Sequence, residues 1–432
     1  MQLLASKSKL KIIFSLIFIG CYFYGLSLTH DLFFLTSSFL LLFYIVLMLF
    51  SCRQIVNPLS LLFPFVLSFY YYQFKISSKQ EILSFMTISA IFLFIICYMI
   101  GFYVCMINSS KVKNNKHINV EIKKSALDFM LFLSLGVFLF ECYFTGGFPF
   151  FIALFDKVNI YADMYYVPIL HYLVMLVAVY PAVYYSLFKK NRITKIYFIF
   201  VSFISIFILL NIMSRQIVIM SLVFFIYMYI KENKLNLNKY VVRFSIGAAI
   251  IFMVLGFIRI QSINDNVSQL EYLKVYSGVP LDRDVNTFDI TFNLYASQNI
   301  STLNNIISST NDFGFGSYLL KPIIKTFKFD ELFNIEYPEN LDGFSRLGTI
   351  IADPYVDFGL VGTALFGFLY GLINTFIYLY YIYSDNIRYI LLWSLTSFIM
   401  VMSVFTNFYN TLFSWIVFLL SFLLISRSKA KL

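Results

Sequence analysis

The sequence predicts an all-α integral membrane protein, and three observations carry that reading. The composition is 60% hydrophobic and only 12% charged. The mean hydropathy is +0.81. The apolar residues fall in runs long enough to cross a bilayer. Soluble domains carry about 25% charged residues, so a water-facing globule is excluded. The 53 Phe suit lipid-facing and helix-packing positions, and the 33 Tyr suit interfaces where the hydroxyl stays wet. The net charge of +10 does not form a patch. Its basic residues sit in short clusters between apolar runs, which marks topology signals and not a nucleic-acid surface.

A spanning helix needs about 20 mostly apolar residues, and the chain offers about twelve such segments. They are 10–29, 32–50, 55–72, 83–107, 126–144, 168–187, 196–213, 217–230, 244–260, 358–383, 389–405 and 411–426. The first is read as a retained helix and not a signal peptide, because no small-residue cleavage site follows it. Only Ser214, Arg215 and Gln216 separate the seventh and eighth. That pair forms a tight hairpin at one face or is broken within the membrane. Charge tests the count. With the N-terminus in the cytoplasm, the clusters at 7–11, 111–124, 189–195, 231–243 and 427–431 all fall inside. The short outer connections hold only Lys75, Lys79, Lys157 and Arg215. The positive-inside rule is then met at every inner loop, with both termini inside.

This count divides the chain into three parts. Residues 1–260 hold helices one to nine, with a re-entrant or interfacial outer segment near 145–167, where Gly146-Gly147-Phe148-Pro149 turns sharply. Residues 261–357 form one large polar loop outside the cytoplasm. Residues 358–432 hold the last three helices and a basic cytoplasmic tail. The five Cys all lie in or beside apolar segments and read as small buried hydrophobes. His30, His117 and His171 are too scattered to suggest a metal site, so the sequence calls for no metal.

The chemistry-bearing residues cluster on the outer side. Arg215, Arg259, Arg283 and Arg346 are the candidate anion grips. An Arg at membrane depth is costly unless it faces a cavity or a partner. A guanidinium fork also matches phosphate geometry and keeps its charge. Converging arginines could hold a diphosphate without metal; each could instead snorkel to the interface or pair with a carboxylate, as the two flanking Asp suggest for Arg283. The acidic candidates are Asp289, Asp342, Asp353 and Asp357. Asp353 and Asp357 are four apart and share a face if helical. One could act as general base while the other orients it or pairs an Arg. The alternative for Asp357 is a helix N-cap. Tyr355 could stack on a sugar or be an ordinary interfacial Tyr.

Several pieces together resemble a known family. They are Gly146-Gly147-Phe148-Pro149, Ser214-Arg215-Gln216, and Gly256-Phe257-Ile258-Arg259. The large loop also exits through Leu347-Gly348 and Asp357-Phe358-Gly359-Leu360-Val361-Gly362, with Gly367 and Gly371 beyond. The chain resembles the Wzy-type oligosaccharide repeat-unit polymerases, the O-antigen and related polysaccharide polymerases. The architecture resembles theirs over the whole chain, while the motifs cover few residues. The resemblance implies a GT-C-like architecture in the bacterial inner membrane, with the active site on the periplasmic side. It implies donor and acceptor substrates that are undecaprenyl-diphosphate-linked oligosaccharides, joined as blocks, with a chain-length regulator protein as a partner. It implies no cofactor, because the donor is already activated. On this reading Asp353, Asp357 and Arg259 are catalytic. Arg215, Gln216, Arg283, Arg346 and Tyr355 then bind diphosphate or sugar. The alternatives are an O-antigen ligase of similar fold and a lipid-linked oligosaccharide flippase. The related ligases usually carry a functional His in this loop region, and residues 261–355 contain none. The flippases usually have short loops and internal two-fold pseudo-symmetry, neither of which is visible here.

Overall fold

The computed structural model describes residues 33–51, 56–74, 76–78, 80–107, 120–155, 164–167, 169–212, 214–241, 243, 247, 269–329, 348–423 and 425–427. In chain order the helices are α1 (Phe33–Ser51), α2 (Pro58–Tyr71), α3 (Phe85–Ile107), α4 (Lys124–Thr145), α5 (Pro149–Phe155), α6 (His171–Met175), α7 (Tyr180–Lys189), α8 (Lys195–Asn211) and α9 (Arg215–Glu232). Then come α10 (Gln269–Ser277), α11 (Thr287–Phe292), α12 (Gln298–Ser309), α13 (Lys321–Thr326), α14 (Ala352–Tyr383), α15 (Ile387–Val401) and α16 (Leu412–Leu423). The protein is a helical membrane protein. Among the described residues, four helices are long and apolar enough to cross a membrane: Phe85–Ile107, Lys124–Thr145, Ala352–Tyr383 and Ile387–Val404. A bent pair, His171–Ala178 with Tyr180–Lys189, makes a fifth. The candidate segments 10–29 and 244–260 lie outside the described residues, apart from Gly247.

Two expectations need correction. The segment 168–187 is not one straight helix: it passes through a 3-10 turn, Leu176–Ala178, and bends by 48°. Pro181 opens the second half and has no N–H to continue the ladder. The segment expected at 358–383 starts earlier, at Ala352, and contains a non-helical Gly359 with φ 61° and ψ −146°. Residues 352–358 are thus a short helical turn on the near side of a kink, in a backbone region that favours glycine. The all-α class stands, with one short strand pairing beside the helices. Strands β1 (Val120–Ile122) and β2 (Ile425–Arg427) pair antiparallel, with Val120 opposite Arg427.

The described residues form two compact units. The first draws on Met1–Lys113, Leu270–Leu379 and Ile399–Asn410. Its helix α2 starts at a capping box. Asn57 Oδ1 accepts the N–H groups of Leu59 and Ser60 at 2.9 and 3.1 Å, and Ser60 Oγ accepts the Asn57 N–H at 2.9 Å. Edge-to-face pairs Phe65–Phe94 and Phe69–Phe92 lock α2 to α3 at 6.1 and 6.0 Å. Helices α3 and α14 meet backbone to backbone. A Cβ on Gly371 would lie 2.1 Å from the Tyr98 carbonyl oxygen, and one on Gly367 2.7 Å from that of Phe94. This spacing of small residues allows close helix approach in membranes.

The polar region after 261 is not a bare loop where it is described. Its short helices are sewn to the 76–84 connection. Ser78 N–H donates to the Gly278 carbonyl at 3.0 Å, Gln80 Nε2 to Asn293 Oδ1 at 2.9 Å, and Ser84 N–H to Asn304 Oδ1 at 2.8 Å. Both partners of each bond fall in segments that the charge pattern assigns to the outer side.

The second unit draws on Asn114–Gln269, Tyr380–Phe398 and Thr411–Leu432. Helix α4 ends at Gly146, whose φ of 89° gives the left-handed C-cap that lets the chain reverse. The expected interfacial segment then begins with α5, and Asn211 Oδ1 accepts the Phe150 N–H at 3.2 Å. Contacts in this unit also respect the charge pattern. Asp128 collects Lys124 at 2.6 Å and the hydroxyls of Tyr184 and Tyr197 at 2.6 and 2.9 Å, all at expected inner ends. Lys231 donates to the Tyr381 carbonyl at 2.7 Å, and Arg388 Nε to the Ser421 carbonyl at 3.0 Å. The latter bond joins the start of α15 to the end of α16, so those two helices run antiparallel.

Candidate functional site

The site grows from the connection between α15 and α16. The sequence makes it a short outer turn. In the structure it is buried in the first unit against α14. After α15 the backbone tightens into a 3-10 turn, Met402–Val404, and makes another at Phe408–Asn410. The Tyr370 and Tyr409 rings stack with centroids 4.5 Å apart. Asn407 Nδ2 donates to the Tyr370 hydroxyl at 3.2 Å, and the Tyr409 hydroxyl donates to Asn374 Oδ1. Tyr370 lies eleven residues past Gly359 in α14, which at about 1.5 Å per residue is some 16 Å along the helix. Irregular backbone at that depth is tolerated only where protein buries it or where it lines a polar cavity.

Asp353 sits beside this break. Its side chain is buried, and Asn410 Nδ2 donates to its Oδ2 at 3.0 Å. The same amide nitrogen donates to the Tyr318 carbonyl. Two acceptors therefore fix which way the Asn410 amide points. Its Oδ1, and that of Asn407, are buried and accept no hydrogen bond among the described residues. Each buried acceptor left in this state costs about 1–3 kcal/mol, so the Asn410 oxygen beside a buried carboxylate, and the Asn407 oxygen three residues earlier, require an explanation. Lys321 faces the same group. Burial, then the nearby Lys325, push its pKa below the ordinary lysine value, while Asp353 draws it back up.

Asp357 has a different job. Its side chain is fully buried. Oδ1 accepts the Tyr318 N–H at 3.0 Å and Oδ2 accepts the Leu319 N–H at 2.8 Å. The Gly314 N–H donates to the Val356 carbonyl at 3.0 Å, and the Phe315 N–H to that of Asp357 at 3.1 Å. Both carboxylate oxygens are thus engaged in bolting the 314–319 turns to the start of α14. Asp357 caps a neighbouring segment, not its own helix. A Cβ on Gly314 would lie 2.6 Å from Asp357 Oδ1, so glycine is what admits the carboxylate.

The other expected residues are placed as follows. Tyr355 is buried in the first turns of α14, between the two carboxylates in sequence. Arg283 is exposed and donates to the Ile76 carbonyl at 2.7 Å, which gives it an anchoring contact. Asp289 accepts the Tyr71 hydroxyl at 2.8 Å and Asn286 Nδ2 at 2.7 Å. Arg215 opens α9 and Gln216 follows it, both half-buried and both in the second unit. Arg259, Arg346 and Asp342 lie outside the described residues. The structure therefore brings Asp353 together with Lys321, Asn407 and Asn410, three residues that sequence reasoning missed. The signal available was the run Thr406-Asn407-Phe408-Tyr409-Asn410, too polar and aromatic for a plain turn between two apolar helices.

The second unit holds another buried carboxylate that the sequence did not reveal. Glu141 is fully buried near the end of α4. Its Oε1 accepts the Val167 N–H at 3.0 Å, and His171 Nδ1 lies 3.0 Å from Oε2. Tyr166 packs on the His171 ring with centroids 4.4 Å apart.

No protein-family profile, no curated protein and no solved structure matches this chain.

Proposed function

We propose that the protein is an oligosaccharide repeat-unit polymerase of the Wzy type, working on undecaprenyl-diphosphate-linked substrates. The observation that carries this reading is the buried Asp353 held by Asn410, whose amide oxygen, like that of Asn407, has no donor among the described residues, with the Lys321 ammonium nearby. A sugar is dense in hydroxyl donors, and hydroxyls would satisfy the Asn407 and Asn410 oxygens. A carboxylate at that point takes the proton of the attacking hydroxyl. A nearby cation stabilises charge on a departing diphosphate.

The step balances without a cofactor. An acceptor hydroxyl oxygen bonds to the anomeric carbon of the donor, the bond from that carbon to the diphosphate oxygen breaks, and the hydroxyl proton passes to Asp353. The electron pair leaves with the lipid diphosphate. Asp357 keeps Tyr318 and Leu319, and with them Lys321, in register with Asp353. Arg346 is retained in this reading as a further diphosphate grip. Tyr355 positions the turn between the two carboxylates.

The finer topology belongs to the same proposal: about twelve spans, a length class set by the bilayer, in a GT-C-like arrangement. Both termini are cytoplasmic and the site opens at the periplasmic face of the inner membrane. Contacts of the connecting segments support it, since expected outer segments pair with outer ones and inner with inner. The test is the surface polysaccharide of a strain lacking the gene. A single repeat unit on its acceptor, with the ladder gone, is the expected result. Repeat units trapped on the cytoplasmic side would instead mean a flippase. Full-length polymer stranded on its lipid carrier would mean a ligase.

A further inference from the structure

The turns that Asp357 bolts down carry an unusual surface. Phe315 is 81% exposed and holds a φ of +48°, a conformation costly for an aromatic residue. Leu320, Ile323, Phe327 and Phe329 are also exposed, and Phe327 stacks on Phe329 with centroids 6.1 Å apart. Interleaved with them are Lys325 and Lys328, both exposed. This is too much apolar surface to leave in water beside a chain with so strong an amphipathic alternative. The patch is also continuous with a membrane surface. On α14, Val361 and Leu365, four apart beyond the Gly359 kink, form an exposed apolar stripe, and Phe358 is exposed just before the kink. The Phe358 ring tip lies 3.8 Å from where a Cβ on Gly316 would sit, so the stripe runs straight into the 313–329 segment.

We propose that residues 313–329 form an interfacial anchor that lies in the lipid leaflet from which α14 enters the membrane. The aromatic and aliphatic side chains enter the boundary between headgroups and acyl chains. Lys325 and Lys328 meet the phosphates of the headgroups, and the anchor's surface charge favours anionic lipid. The backbone bonds from Gly314, Phe315, Tyr318 and Leu319 to the start of α14 hold the anchor at a fixed height beside the span. The occupant is the bilayer itself; a second copy of the chain or a partner protein would require no continuity with the α14 stripe.

The experiment uses the full chain carrying p-benzoylphenylalanine in place of Phe315 or Phe327, reconstituted in vesicles of phosphatidylcholine and phosphatidylglycerol. Phe129, an exposed residue of the α4 span, takes the same substitution as the lipid-facing reference. Under ultraviolet light, phospholipid should attach at 315 and 327 at yields within about twofold of position 129. Omitting phosphatidylglycerol, or combining Lys325→Gln with Lys328→Gln, should lower the yield at 327. Lipid at 129 but none at 315 and 327 overturns the proposal. So does attachment to a second copy of the chain in place of lipid. The readout needs no polymer, so it stands or falls apart from the polymerase reading.

Discussion

Glu141 and Asp353 are both buried carboxylates near the ends of apolar helices, and their surroundings differ in one respect. Around Glu141 the hydrogen bonding closes: a backbone N–H and an imidazole nitrogen meet its two oxygens. In the amides at Asn407 and Asn410 it does not close among the described residues. The amide that holds Asp353 has a buried oxygen with no donor, and so does its neighbour three residues earlier. A closed set of partners fixes a fold and leaves nothing for a ligand. An open set costs stability and is retained where something else completes it. Residual hydrogen-bonding capacity, more than burial or charge, separates the scaffold carboxylate from the candidate site.

Four substitutions break or sharpen that contrast. Asp353→Asn keeps the shape and removes the base. Long polysaccharide synthesis should fall by about 10²- to 10⁴-fold at unchanged protein level, read as ladder intensity on a gel; an unchanged ladder would remove Asp353 from the chemistry. Glu141→Ala should act in the opposite sense. It strands the Val167 N–H and the His171 ring, at about 1–3 kcal/mol for each group. The melting temperature of the detergent-purified protein should drop, with activity per folded molecule retained. Asp357→Asn replaces one acceptor oxygen by a donor facing a donor, with an expected loss of about 1–3 kcal/mol. It should shift both melting and polymer yield, because it loosens the turns that carry Lys321. Asn407→Leu is the mildest in stability, since it deletes an oxygen with no donor among the described residues and only one neutral hydrogen bond, that to the Tyr370 hydroxyl, at about 0.5–1.5 kcal/mol. Its melting temperature should stay near the parent's while polymer length shortens. A large stability loss with normal polymer would show that the Asn407 oxygen is structural after all.

The four long spans and the bent pair were legible because a bilayer imposes a length of apolar chain that few other structures need. The contacts among connecting segments pair expected outer segments with outer ones and inner with inner. The bend at Pro181 was written in the sequence too, but hydropathy counts apolar residues and passes over a missing N–H. The early start of α14 was hidden because Asp353 and Asp357 lower the apparent hydropathy of a turn that is buried by protein. Asp353 itself was found from spacing alone. Asn407 and Asn410 were not, since an Asn-rich stretch between two apolar helices ordinarily marks a wet turn. The Glu141–His171 pair joins residues thirty apart through a chain reversal, which no periodicity reports.

The glycine seam between α3 and α14 has a consequence for traffic. Gly101 and Gly371 leave no room even for a methyl group against the facing backbone. Helices in such contact cannot part to admit a prenyl chain without losing the whole seam. On the proposed function, a lipid-borne substrate that reaches Asp353 from the bilayer must therefore come past some other flank of the first unit, and α3 with α14 serves as the fixed wall against which any doorway would open.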